Sequence, residues 1–123
     1  MPPSGERAPV LVTNGWVRTA YNVVESLGRR GIPVHVVDRS PRAMCRYSRW
    51  ARSFHRVPNF FEEPEAYARA VGAVAREVGA RVLIPVLEDA IALAAHESAL
   101  PRELAFVHAD VNAMRLANDK WEV

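Results

Sequence analysis

In "IPVLEDA" the ring of Pro85 removes a backbone donor near the end of an apolar run, and Glu88 and Asp89 then open a helical pattern. Two chemistries fit this pair. Both acids complement a helix amino terminus, or Glu88 accepts hydrogen bonds from an amine or hydroxyl of a small substrate held above a sheet. Asn14 and Gly15 close an earlier apolar run, "PVLVTNG", and Asp38 closes "IPVHVVD". Trp16 follows the Asn14-Gly15 turn, either as the anchor of a helix start or as a pocket wall.

Several other chemistries lack their residues. Asp38 stands where a dinucleotide-binding fold holds a ribose hydroxyl, but "TNGWVRTA" has one glycine where the G-x-G-x-x-G pattern needs three. Asp38 therefore reads first as the start of a turn. No G-x-x-x-x-G-K-[ST] loop is present, and "VLVTN" offers no carboxylate for a phosphoacceptor's divalent ion. His35, His55, His96, His108 and Cys45 form no pair at metal-ligand spacing, and no Ser or Cys sits in a nucleophile elbow. The stretch from Arg42 to Arg52 mixes arginines with Tyr47 and Trp50 without a clean period. It reads as a solvated loop or short irregular helix ahead of a patch for an anion or a nucleic-acid strand.

The elements that must position these residues alternate in type. Residues 10–13 form a buried strand, and Val17, Ala20, Tyr21, Val24 and Leu27 lie on one helical stripe that "RRG" brings to a stop. A second strand covers residues 34–37, and "SFHRVP" is a short third one ended by Pro58. Pro64 opens a helix with Tyr67, Ala70, Val71, Val74 and Val78 in its stripe and Gly79 at its end. "RVLIPV" is a fourth strand, "EDAIALAAHES" an alanine-rich helix, "LAFVH" a fifth strand, and "DVNAMRLANDKW" a last helix capped by Asp110. Apolar strands alternating with helices predict an α/β fold, an open, doubly wound, mostly parallel sheet of about five strands. Such sheets bind ligands at the carboxyl ends of their strands, where Asn14, Asp38 and Glu88 fall.

Composition bounds the rest. Half of the 123 residues are hydrophobic, enough for one core, and 16 Lys and Arg against 14 Asp and Glu leave a formal +2, too weak a bias to argue for nucleic acid. The lone cysteine, Cys45, forms no internal disulfide, which suits a reducing compartment. "MPPSGERAP" lacks the apolar centre of a signal peptide, and no apolar run nears the roughly 20 residues of a membrane helix. The expectation is a cytoplasmic protein with a disordered leader over residues 1–8 and no membrane partner.

Taken in order, "VLVTNG", "GIPVHVVD", "SRWARSFHRVP", "ARVLIPVLEDAIAL" and "RLANDKW" resemble the amino-terminal, pre-ATP-grasp domain of ATP-grasp ligases. The similarity leans toward the large chain of carbamoyl-phosphate synthase and biotin-carboxylase-like proteins. It implies a Rossmann-like pre-ATP-grasp domain over residues 9–117 and, over 118–123, the start of a linker into an ATP-grasp domain following in cis. By the same resemblance Asn14, Gly15 and Glu88 face the substrate, and Lys120 contacts nucleotide phosphate.

The implied chemistry is ATP- and magnesium-dependent formation of an acyl phosphate from a carboxylate or bicarbonate, followed by attack of an amine or ammonia. The domain alone is expected to be inactive and to carry neither metal nor cofactor. Trp121 with the stripe Val111, Met114 and Ala117 would pack on the body of a solitary domain, or be exposed or pair two copies in a fragment. The competing reading is a non-catalytic α/β module that binds a metabolite or a partner protein through the same strand ends.

Overall fold

A computed structural model describes residues 8–106. The last helix, with Asp110, Lys120 and Trp121, the 118–123 linker and most of the leader lie outside the described residues. Ten elements follow in order: β1 (Val10–Val12), α1 (Arg18–Arg29), β2 (Val34–Asp38), a 3-10 helix (Met44–Tyr47), β3 (Ala51–Arg56), α2 (Pro64–Val78), β4 (Val82–Ile84), α3 (Asp89–Ala95), a second 3-10 helix (Glu97–Ala99) and β5 (Ala105–Phe106).

All five strands are parallel in the order β3-β2-β1-β4-β5. The chain builds outward from β1 to β3, then returns to β1's other side for β4 and β5. The strand order therefore reverses between β1 and β4, the place where such sheets open a crevice at their carboxyl ends.

Alternating residues of each strand feed two cores. Val10, Val12, Val34, Val36 and Ile84 pack with Ala20, Val23, Val24 and Leu27 of α1. Leu11, Val37 and Leu83 pack with Tyr67, Val71 and Ala75 of α2 and Leu93 of α3. Helices thus cover both faces, as the continuous apolar strands require.

Local stops match the chain's chemistry. After α1, Gly31 takes φ 77°, its N–H bonds to the Gly28 carbonyl and that of Ile32 to the Leu27 carbonyl. This is a Schellman stop, with Ile32 and Leu27 sharing one core. The first strand ends at Val12, the second extends to Asp38 and the fourth is confined to Val82–Ile84, and two further boundaries differ from expectation. The third strand begins at Ala51 rather than Ser53, because backbone pairing with Val34 recruits it despite a register irregularity. "EDAIALAAHES" breaks after Ala95, where His96 leaves helical geometry at φ −120° and a 3-10 turn follows. Among the described residues no helix is long and apolar enough to cross a membrane.

Candidate functional site

The turns after β1 and β4 meet at the reversal point. Pro85 cannot extend the β4 ladder, and the link passes to side chains: Val86 N–H donates to Thr13 Oγ1 at 3.0 Å, while Thr13 N–H bonds the Ile84 carbonyl at 3.2 Å. This crosslink sets the Asn14-Gly15 turn beside the turn holding Glu88 and Asp89.

Asn14 is buried and sits at φ 55°, the one non-glycine among the described residues with positive φ. Asparagine tolerates this region because its short side chain bonds locally, here from Nδ2 to Thr13 Oγ1 at 3.2 Å. Gly15 packs too closely for a side chain: a Cβ there would lie 2.5 Å from Val36 Cγ1 and 3.1 Å from Cys45 Cβ. Its N–H bonds the Val37 carbonyl at 3.3 Å and its carbonyl accepts from Cys45 N–H at 2.9 Å. Gly15 therefore shapes the turn and has no donor left for a ligand.

The two acids separate. Glu88 is exposed at the start of α3, and its side chain makes no capping bond. Asp89 is fully buried: Tyr67 O–H donates to Oδ2 at 2.6 Å and Leu87 N–H to Oδ1 at 3.0 Å. Burial raises the Asp89 carboxyl above its ordinary value, and the bonds from Tyr67, Thr13 and Leu87 only partly offset this. Burial, with Asp89 alongside, pushes the Tyr67 phenol well up. Sequence reasoning paired Glu88 with Asp89 and did not foresee Tyr67 as the partner that draws one of them inward.

Asp38 serves its turn. The residue is 1% exposed, Oδ2 accepts from Ser40 N–H at 2.7 Å, and Oδ1 has no hydrogen-bond partner among the described residues. Desolvation raises its pKa, opposed by the backbone N–H groups of Ser40, Trp16 and Arg39. Cys45 is fully buried, and burial followed by the neighbouring Asp38 charge pushes its thiol up to about 12, which leaves it inert.

A cleft of about 1070 Å³ opens over the carboxyl ends of β2 and β3, lined by Trp16, Arg39, Arg42, Arg56, Asn59 and Glu63 among others. Trp16, 49% exposed, is a wall of this cleft. Glu88 and Asn14 lie outside its lining, nearer the reversal point. Lys120 is outside the described residues.

His35 and His55, 20 residues apart, converge on one hydroxyl: Ser53 Oγ lies 2.6 Å from His35 Nδ1 and 2.8 Å from His55 Nε2. Burial first, then His55 and Arg52, lower the His35 pKa. Among the described residues no three His, Cys, Asp or Glu side chains group to hold a metal.

Neither a family model nor a curated protein matches the chain. Solved structures do match. N5-carboxyaminoimidazole synthetase from Staphylococcus aureus superposes with a TM-score of 0.59 at 18% identity, over 83% of this chain and 24% of that one. The biotin carboxylase subunit of pyruvate carboxylase gives 0.58 at 21%, over 91% and 25%. Glycinamide-RNase-transformylase T from Mycobacterium tuberculosis gives 0.60 at 22%, over 91% and 35%. The chain spans about a quarter to a third of each of these enzymes, and at such identities the likeness is one of fold. The chain has the Rossmann-like α/β fold of the pre-ATP-grasp domain found in ATP-grasp enzymes.

Proposed function

We propose that this chain is the substrate-side, amino-terminal domain of an ATP-dependent carboxylate-amine ligase of the carbamoyl-phosphate synthase type, working in the cytoplasm with an ATP-grasp domain that follows in cis. One observation carries the reading. The Asn14-Gly15 turn and the Glu88 turn are bonded together through Thr13 and Val86 at the point where the strand order reverses.

A carboxylate is a poor electrophile, and phosphorylation by ATP supplies the leaving group while magnesium offsets the crowded negative charge. The proposal places the magnesium ligands in the following domain and gives Lys120 the nucleotide phosphate. Within this chain, Glu88 presents an exposed carboxylate that accepts hydrogen bonds from an amine or hydroxyl of the substrate. Asn14 and Gly15 fix the opposite lip of the crevice by backbone shape.

A partner-binding module is the competing reading, and the exposed Leu87 and Ile91 on either side of Glu88 favour it. Isotope transfer separates the two. An acyl phosphate formed from an ¹⁸O-labelled carboxylate leaves one ¹⁸O in the phosphate released by the complete gene product. Phosphate that carries no label sinks the ligase.

A further inference from the structure

Six arginines lie between residues 39 and 56; Arg52 lies away from the cleft, beside His35 and Pro33, and the structure divides the other five into two groups. Arg46 donates to the Pro41 carbonyl at 2.6 Å and lies 5.7 Å from the Phe54 ring centroid; Arg49 lies 4.5 Å over Trp50. Both are held by their own segment. Arg39, Arg42 and Arg56 instead line the cleft at the carboxyl ends of β2 and β3.

These three come from separate places: the residue after β2, the loop beyond it and the last residue of β3. Parallel pairing of Asp38 with Arg56 brings the two strand ends together across 17 residues of sequence. Arg56 Nε donates to the Arg39 carbonyl at 3.0 Å, which fixes the side chain, while its terminal nitrogens donate to no acceptor among the described residues. Among the described residues no carboxylate lies within ion-pair distance of any of the three guanidinium groups. Three positive charges share one concavity with two carboxylates, Glu62 and Glu63, neither within ion-pair distance of them; the net positive charge attracts an anion, and guanidinium forks match carboxylate and phosphate oxygens.

Glu62 and Glu63 line the same cleft. They oppose a polyanion such as a nucleic-acid strand, which would lay several phosphates along the cleft. They tolerate a small ligand with one anionic group, and they offer acceptors to any amine it carries. Trp16 and Pro58 supply an apolar wall for its carbon skeleton.

We infer that Arg39, Arg42 and Arg56 form a binding site for the anionic group, carboxylate or phosphate, of a small substrate, with Glu62 and Glu63 excluding polyanions. The inference rests on the proposed ligase for why a substrate would dock here, but anion binding itself is measurable on this chain.

The test is a ¹⁵N NMR titration of the chain with inorganic phosphate and, separately, succinate, each against sodium chloride at matched ionic strength. Saturable shifts confined to residues 39–42 and 56–59 are expected from at least one probe. Saturation by phosphate only points to a phosphorylated substrate, and by succinate only to a carboxylic one. Arg56→Gln and Arg42→Gln should each raise the Kd about tenfold, the loss of one charge-assisted contact, with the remaining spectrum unchanged. Among the described residues the Arg42 side chain makes no hydrogen bond or ion pair, so its variant reports binding alone.

Shifts equal to those from chloride, shifts centred on Arg69 or Arg76, or unaltered Kd in both variants would overturn the site. Tighter binding of a single-stranded oligonucleotide than of either probe would overturn the small ligand. Failure of the ligase looks different: the cleft would still saturate, while the complete gene product would form no ADP in response to any carboxylate.

Discussion

Tyr67 donates a 2.6 Å hydrogen bond to Asp89 and thereby joins the second helix to the turn after the fourth strand, in full burial. The bond decides which of two adjacent acids is buried. With Asp89 turned inward, Glu88 is left at the surface.

Removing the inward acid should cost more than removing its donor. Asp89→Ala strands the buried Tyr67 O–H and the part-buried Leu87 N–H, and should destabilise the chain by about 3 kcal/mol; Tyr67→Phe removes one bond and should cost about 1–2 kcal/mol. Glu88→Ala, at an exposed position, should stay within about 0.5 kcal/mol. Urea unfolding of the three variants checks the ranking, and equal losses for Asp89 and Glu88 would contradict it.

The same burial predicts an unusual pH dependence. Asp89 and Asp38 both have raised pKa values in the folded chain, against an ordinary 3.8, so the folded state holds their protons longer than the unfolded state does. Their contribution to stability is therefore greatest below pH 3.8 and falls as pH rises through their folded values. Asp89→Asn should flatten part of that fall, since an amide does not ionise. Unfolding free energies measured from pH 4 to pH 7 would show it; a variant curve parallel to wild type would refute the assignment to Asp89.

Gly15→Ala should destabilise without touching any donor. The added methyl meets Val36 Cγ1 at 2.5 Å in a packed core, an overpacking that costs about 1–3 kcal/mol. Val36→Ala in the same chain makes room and should recover part of the loss. A double-mutant cycle with no coupling would show that the glycine is kept for another reason.

Much of this fold is legible in the chain. Apolar runs ending at Asn14, Asp38 and Pro85 mark buried parallel strands, and Gly31 and Gly79 mark helix stops by their positive φ. The start of the third strand was not legible, because Ala51 and Arg52 carry no strand period and join the sheet only through backbone pairing with the second. The break after Ala95 was hidden by an alanine-rich pattern that favours helix throughout.

The site was legible in part. Residues at strand ends can be located from periodicity alone, which brought Asn14, Gly15 and Glu88 forward. Which of Glu88 and Asp89 turns inward depends on where Tyr67 sits, 22 residues away. The convergence of Arg39 with Arg56, and of His35 with His55 on Ser53, arises from the register between the second and third strands. No local pattern records that register.

The account turns on Glu88 at the substrate lip of an ATP-driven ligase. The most direct measurement is ADP formation by the complete gene product with Mg-ATP, across a panel of carboxylates including bicarbonate and amines including ammonia, for wild type and Glu88→Gln. The account predicts carboxylate-dependent ADP formation whose kcat/KM falls by at least about tenfold in the variant, a loss of roughly 1.4 kcal/mol in transition-state binding, with folding unchanged. Wild-type kinetics in Glu88→Gln, or ADP formation indifferent to every carboxylate, would contradict it.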